Sequence, residues 1–184
     1  YLKAGLLGDY MTLKDFTTAL GKLPLQYEPG KQWHYSVSVD VQGRLVEVLS
    51  GMSFGSFLRE RIFEPLDMAD TGFVIPESNM NRLARLYQPK GSQPGNFLYT
   101  AATSALEPAP KEYDVAYLGG SKFESGGGGL LSTARDYLRF CQMMLNGGQL
   151  DGVRILSPKT VKLMTVNHLG DISKSFRQKG IGFG

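Results

Sequence analysis

The chain has 184 residues, of which 42% are hydrophobic and 20% charged, with a net charge of +3. These values are typical of soluble globular proteins, and no apolar run reaches the about 18–20 residues that a membrane helix needs. The basic residues are scattered, which argues against a nucleic-acid-binding face. Cys141 is the single cysteine, and His34 and His168 have no partner motif. We therefore expect no internal disulfide, no metal site and no cofactor, in a protein of the cytoplasm, the periplasm or the secreted fraction.

The first predicted helix begins at Thr12. Thr12 can cap its amino end, with Asp15 three residues later as in a capping box. Apolar residues then follow at helical spacing until Pro24 ends the helix. We expect a turn-rich loop over residues 26–33, because this stretch contains Pro29 and Gly30.

Residues 35–50 carry two competing patterns. Alternating apolar residues over 35–41 favour a strand, whereas apolar residues at helical spacing extend from Val37 to Leu49. The helical pattern is the longer one, and Gly51 suits the position after a helix, so we predict a helix. Ser53 is expected to cap the next helix, which runs through about Phe63 and is closed by Pro65.

The middle of the chain is predicted to be mostly irregular. Thr71 to Ile75 is a short strand candidate. Residues 76–125 are rich in Pro, Gly and Ser, which predicts loop, with a hairpin around Leu83–Tyr87. So long an irregular stretch is uncommon in a compact domain unless it shapes a site.

A run of four glycines at 126–129 can be either an anion cradle or a close-packed backbone that leads into a helix. A phosphate-binding loop needs Lys followed by Ser or Thr after its last glycine. Leu130 and Leu131 stand there instead, which favours the close-packed backbone.

The next helix is capped by Ser132 or Thr133 and stopped by the glycines at 147 and 148. Its expected apolar stripe makes Cys141 a core residue rather than a nucleophile; the stripe consists of Leu138, Cys141, Met144 and Leu145. A tight turn is predicted over residues 148–152. Ser157 and Pro158 then open a last helix whose apolar side carries Leu163 and Met164.

Four segments together resemble the serine β-lactamase and penicillin-binding-protein superfamily, in its class C-like β-lactamase and esterase branch. In chain order they are Pro29-Gly30 with Tyr35-Ser36, Phe63–Met68 with Thr71-Gly72-Phe73, Gly126–Leu131 with Ser132–Asp136, and Leu156–Thr160. The resemblance implies an α/β (α+β) fold of the β-lactamase/transpeptidase-like type. This chain would carry mainly the helical region with few strands, as one partial domain over residues 1–184.

Enzymes of this superfamily use three motifs: Ser-x-x-Lys, Tyr-x-Asn or a variant, and a Lys-Thr-Gly-type motif on a sheet-edge strand. Only the second has a candidate, Tyr35-Ser36-Val37, so the resemblance implies that Tyr35 is catalytic. A tyrosine is a poor base at neutral pH unless a neighbouring lysine stabilises its phenolate, so Tyr35 depends on a lysine from outside this chain. Asp40 would lie near Tyr35 if this segment is helical.

The other two motifs are missing from the chain. No lysine has a serine three residues before it, and the resemblance places Ser-x-x-Lys upstream of Tyr1 and the sheet-edge motif downstream. The text match His168-Leu169-Gly170 directly follows a predicted helix and is interpreted as a coincidence. We therefore expect an incomplete piece of a larger enzyme that is inactive on its own.

The resemblance implies a small ester or amide as the substrate, cleaved through an acyl-enzyme. Val37 replaces an asparagine able to hydrogen-bond an acylamido group, which favours simple esters over β-lactams. Tyr113, Tyr117 and Phe123 could wall an acyl pocket, with packing or a solvent edge as the alternative for each. His34 could line the cleft, although a loop histidine is its default interpretation.

Two other classes of function stay open at this point: a non-catalytic binding protein that kept the fold, and a helical interaction module. For the isolated chain we expect exposed apolar surface, because the resemblance places the helices at 36–50 and 134–146 against each other and against a sheet. A helix gains stability when its apolar face is covered. Marginal stability, dimerisation or a domain swap is the predicted consequence.

Overall fold

The computed structural model describes residues 12–34, 36–90, 105–110 and 122–168. The chain divides into two compact units: Tyr1–Phe73 with Lys122–Gly184, and Val74–Ser121. The described part of the first unit contains five α-helices and one short hairpin. The helices are α1 (Leu13–Leu20), α2 (Ser38–Ser50), α3 (Phe54–Leu58), α4 (Ala134–Leu145) and α5 (Pro158–Met164).

Four of these five helices begin at a Ser or Thr whose side chain accepts a hydrogen bond from a backbone N–H of the first turn. The caps are Thr12 for α1, Ser53 for α3, Thr133 for α4 and Ser157 for α5. Such caps satisfy backbone donors that the helix itself leaves free. The predicted caps at Thr12, Ser53 and Ser157 are confirmed, and Thr133 is the cap of the two candidates for α4.

The predicted helix over 35–50 is also confirmed, although it begins at Ser38. Gly51 ends α2 in the left-handed conformation, with φ of 72°. Gly43, on the buried side of α2, lies against Leu13 of α1 and Phe54 of α3. The three helices therefore pack around a position where a small residue allows close approach.

The helix predicted from Ser53 to about Phe63 changes character partway. α3 ends at Leu58, and Arg59–Phe63 continue as a π-helical turn. Phe63, Leu66, Met68 and Met143 form the buried core cluster of this unit, with partly buried apolar residues packed around it. The wider π turn thus leads directly into the chain segment that packs against α4.

The short hairpin after α4 forms the predicted tight turn. Strands β3 (Gln149–Leu150) and β4 (Val153–Arg154) pair antiparallel, with Leu150 opposite Val153. Asp151 and Gly152 connect them with φ of 48° and 82°. Positive φ at both loop residues is the signature of the type I′ turn that an Asp-Gly pair favours.

In the second unit, a 3₁₀ turn (Glu77–Arg82) precedes two short strands, β1 (Tyr87–Pro89) and β2 (Leu106–Pro108). The strands pair antiparallel with Gln88 opposite Glu107. The predicted hairpin around Leu83–Tyr87 is wrong, because the strand begins at Tyr87 and its partner comes from a distant part of the chain. Pairing at that separation leaves no local turn signal to read.

Two further predictions are wrong, one of secondary structure and one of burial. Thr71 to Ile75 form no strand; Gly72 makes an isolated antiparallel bridge with Leu131. Cys141 is exposed rather than in the core, and Leu138 and Leu145 of the same predicted stripe are exposed too. The buried side of α4 carries Asp136 and Met143, because the core cluster and strand β3 pack against that side.

Within the described ranges, no helix combines the length and the apolar character that crossing a membrane requires.

Candidate functional site

Tyr35, Tyr113 and Tyr117, three of the four predicted site residues, lie outside the described residues. The fourth, Phe123, is described, as are Ser36 and Val37 on the carboxyl side of Tyr35. The site can therefore be built from the start of α2 and from the segment that contacts it.

The start of α2 lacks the side-chain cap that the other four described α-helices have. Its N-cap residue is Val37, whose side chain makes no cap hydrogen bond. Valine has no polar atom to offer the free backbone donors there. Contacts of this helix start with other parts of the chain are therefore of particular interest.

Three consecutive residues before the glycine run contact three different helices. The ring of Phe123 packs edge-on against Phe16 of α1, with centroids 5.5 Å apart. A carboxylate oxygen of Glu124 accepts a hydrogen bond of 2.7 Å from the Gly55 N–H of α3. The hydroxyl of Ser125 donates a hydrogen bond of 2.5 Å to Asp40 Oδ1 of α2. Residues 123–125 thus tie α1, α3 and α2 together.

Asp40 is a buried carboxylate, only 7% exposed, in the first turn of α2. Besides the bond from Ser125, its Oδ1 atom lies 3.4 Å from the Gly127 N–H. The Gly127 N–H also donates to the Ser125 hydroxyl oxygen at 3.0 Å. A buried charge needs such hydrogen bonds to offset its loss of hydration.

Gly126 brings the backbone of the glycine run directly against α2. A Cβ atom at this position would collide with the carbonyl oxygen of Val39. This contact agrees with a close-packed backbone as the interpretation of the glycine run. The structure places the glycines beside the start of α2, two to three helix positions from Val37.

The hydroxyl of Ser36 is buried and has no hydrogen-bond partner among the described residues. An unpaired buried hydroxyl costs on the order of 1–3 kcal/mol. The residue next to Tyr35 therefore holds a donor that no described group uses.

The two histidines show no catalytic pairing in the described part of the chain. His34 is exposed and its ring stands 5.9 Å from the ring of Tyr27. His168 Nε2 lies 2.6 Å from the carbonyl oxygen of Leu163, at the end of α5. Across the described ranges, no cluster of three or more His, Cys, Asp or Glu could hold a metal ion.

A second buried aspartate occupies the same position in α4 that Asp40 occupies in α2. Asp136 is 4% exposed, and its Oδ2 atom accepts 2.8 Å hydrogen bonds from the Asp70 N–H and the Thr71 hydroxyl. Both aspartates are the third residue after the N-cap, and both bind a distant segment. Of these two helices, α4 has a side-chain cap, Thr133, and α2 has none.

Sequence reasoning placed Asp40 near Tyr35 but missed its partners Ser125 and Gly127. It also missed Glu124, and it missed the contacts of Asp136 with residues 70 and 71. Each pair is separated by more than sixty residues. The only local signal was a polar Glu-Ser pair immediately before the glycine run.

Sequence comparison finds several proteins that are similar to most of this chain. An uncharacterized protein of Mycobacterium tuberculosis is 34% identical over 168 residues, covering 90% of this chain and 38% of that protein. A lovastatin esterase of Penicillium rubens is 33% identical over 80% of this chain and 33% of its own length. Other relatives are named esterase, D-alanyl-D-alanine carboxypeptidase and penicillin-binding protein.

Among solved structures, EstCE1, described as a hydrolase with promiscuous acyltransferase activity, superposes with a TM-score of 0.70 at 24% identity. The match covers 94% of this chain and 45% of that one. The chain thus spans between a third and a half of the lengths of these proteins. The described structure is rich in helices with few strands, as expected for part of a β-lactamase/transpeptidase-like fold. The family model described as Beta-lactamase matches residues 3–184, and the chain belongs to this family, within the serine β-lactamase and penicillin-binding-protein superfamily.

Proposed function

We propose that this chain is the tyrosine-bearing, mainly helical part of a serine hydrolase that cleaves carboxylic esters through an acyl-enzyme. The match of the family model over residues 3–184, with Tyr35-Ser36-Val37 just before α2, carries the proposal. Relatives named as esterases and carboxypeptidases support a hydrolase that acts at a carbonyl carbon.

In the proposed reaction, a serine hydroxyl attacks the ester carbonyl, the alcohol leaves with a proton, and water then hydrolyses the acyl-serine. Tyr35 assists the proton transfers. No serine of the 184 residues has a lysine three positions later, so the nucleophile would come from another segment of the full-length protein.

The preference for esters is proposed from Val37. An asparagine there could hydrogen-bond the amide of an acylamido substrate, whereas valine offers only an apolar surface. The relative named lovastatin esterase supports an ester substrate. Tyr113, Tyr117 and Phe123 remain proposed walls of the acyl pocket, although the edge of Phe123 already packs against Phe16.

The test is turnover of p-nitrophenyl butyrate and of nitrocefin by the full-length protein. We expect ester hydrolysis to be the faster reaction, and Tyr35→Phe to lower kcat for the ester at least about 100-fold, as loss of a general acid–base group does. Tyr137→Phe is the matched control, since Tyr137 is an exposed tyrosine on α4; it should keep wild-type turnover.

Two results would overturn the proposal. Full ester turnover by Tyr35→Phe would remove Tyr35 from the chemistry. Nitrocefin turnover faster than ester turnover would contradict the proposed role of Val37 in substrate choice.

A further inference from the structure

We propose that Asp40 and Ser125 form a latch that positions the start of α2, and that both are positioning residues for Tyr35. The inference rests on the proposed function, because it assigns these residues to the proton-transfer step of that reaction. Neither residue is proposed to touch the substrate.

The α-helices differ in how their starts are capped. Each of α1, α3, α4 and α5 has a Ser or Thr side chain bonded to its first turn, so its start is defined locally. α2 has Val37 instead and no side-chain cap. Uncapped helix ends fray readily, so the conformation of residues 36–38 depends on the tertiary contact at Asp40.

The contact between Asp40 and Ser125 is short and involves the glycine run. Asp40 Oδ1 accepts a hydrogen bond of 2.5 Å from the Ser125 hydroxyl. The Gly127 N–H lies 3.4 Å from Asp40 Oδ1 and 3.0 Å from the Ser125 hydroxyl oxygen. Hydrogen bonds to a carboxylate are shorter and about twice as strong as those between neutral groups. The contact joins residues 85 positions apart in the chain. The neighbouring residues, Gly126 and Val39, are also packed against each other.

Residues 123 and 124 anchor the same segment to α1 and α3. Ser125 is therefore held on a segment that is itself fixed, and it can transmit that position to α2. Catalytic groups require such placement, because a displacement of about 1 Å can cost about 100-fold in rate. The latch would supply this placement for Tyr35.

Asp136 provides a matched control inside the same chain. It is buried, lies at the same position of its helix, and accepts two hydrogen bonds from a distant segment. Its helix begins at a capped residue, Thr133. Removing either aspartate should lower stability to a similar extent, but only the latch should affect catalysis.

The experiment measures kcat and KM for p-nitrophenyl butyrate hydrolysis by the full-length protein, at a temperature where every variant is folded. The melting temperature of each variant is measured separately. The variants are Asp40→Asn, Asp40→Ala, Ser125→Ala, the double variant Asp40→Asn with Ser125→Ala, and Asp136→Asn. Asp40→Asn and Ser125→Ala keep the test possible if Asp40→Ala does not fold.

We expect Asp40→Ala and Ser125→Ala to lower kcat about 10- to 100-fold with KM nearly unchanged, as when an interaction is lost in the transition state alone. Asp40→Asn keeps an acceptor oxygen and should recover part of the loss. The double variant should be no slower than the slower of its two single variants, because both break one contact. Asp136→Asn should lower the melting temperature without a change in kcat.

The outcomes separate this inference from the proposed function. If Tyr35→Phe is inactive while Asp40→Asn, Asp40→Ala and Ser125→Ala all match Asp136→Asn in kcat, the latch is wrong and the proposed function stands. If Tyr35→Phe is fully active, the proposed function fails, and the latch fails with it.

Discussion

Gly126 allows the glycine run to lie against the first turn of α2. A side chain there would meet the Val39 carbonyl oxygen, which is backbone and cannot rotate away. Gly127 is more tolerant, because the nearest atoms to an added Cβ are side-chain atoms of Val39 and Asp40. The two neighbouring glycines therefore offer a matched comparison of close backbone approach.

We predict that Gly126→Ala destabilises the full-length protein by about 1–3 kcal/mol, the usual cost of overpacking, and also lowers ester kcat by displacing Ser125. Gly127→Ala should cost clearly less stability. Urea unfolding of both variants measures the difference. Equal stabilities for Gly126→Ala and the wild type would show that the glycine run does not need the observed approach.

Single residues were predictable where their partners are local. Thr12, Ser53 and Ser157 were recognised as caps because the cap and the N–H it accepts from lie three residues apart. Gly51 is predictable because glycine adopts without strain the left-handed conformation in which helices commonly end. Asp40 with Ser125 and Asp136 with Thr71 were not paired in advance, because the folding of the chain, rather than local spacing, brings them together.

Among the helices, α2 shows how far the apolar pattern predicts burial. Its residues Val41, Leu45, Val48 and Leu49 lie at helical spacing, yet Leu45 is 54% and Leu49 78% exposed. The described contacts of α2 are mainly with α1 and α3, which cover Gly43 and Asp40 rather than this stripe. The pattern predicts the helix correctly, whereas Leu45 and Leu49 on its apolar side are exposed in the structure.

We predict that the double variant Leu45→Gln with Leu49→Gln has different effects on stability in the 184-residue chain and in the full-length protein. In the 184-residue chain these side chains are exposed, so the free energy of unfolding should change by less than about 0.5 kcal/mol. In the full-length protein we expect a loss of about 2–5 kcal/mol, because another segment would bury both residues. Chemical denaturation measures both values.

The double variant Arg44→Gln with Gln42→Ala, on the same helix, is the control. Its free energy of unfolding should change by the same amount in the 184-residue chain and in the full-length protein. An unchanged full-length stability in the double leucine variant would show that this side of α2 is not covered there.

The helix α4 shows the limit of the same reasoning. Its periodicity predicts the helix correctly. The predicted core stripe through Cys141 is wrong, because the structure buries Asp136 and Met143 and exposes Cys141. An aspartate at a buried position is unexpected from hydropathy alone. Its hydrogen bonds to Asp70 and Thr71 explain the burial, and these were not readable from the local sequence.

For the molecule as a whole, the family and the helical character were predictable from short motifs in order along the chain. The arrangement around the start of α2 was not, because three successive residues of one segment bind three helices. The chain spans 33–45% of the relatives and structures described above. The isolated chain exposes large apolar side chains on α2, α4 and α5, so self-association in size-exclusion chromatography is expected.

Covalent labelling tests the central claim most directly. The full-length protein and the 184-residue chain are each treated with a fluorophosphonate, which transfers its phosphonyl group to an activated serine oxygen and releases fluoride. Intact mass and peptide mapping then locate the adduct. We predict one adduct on the full-length protein, at a serine outside these 184 residues, and none on the isolated chain. An adduct on a residue of this chain, or an unlabelled full-length protein, would contradict the account.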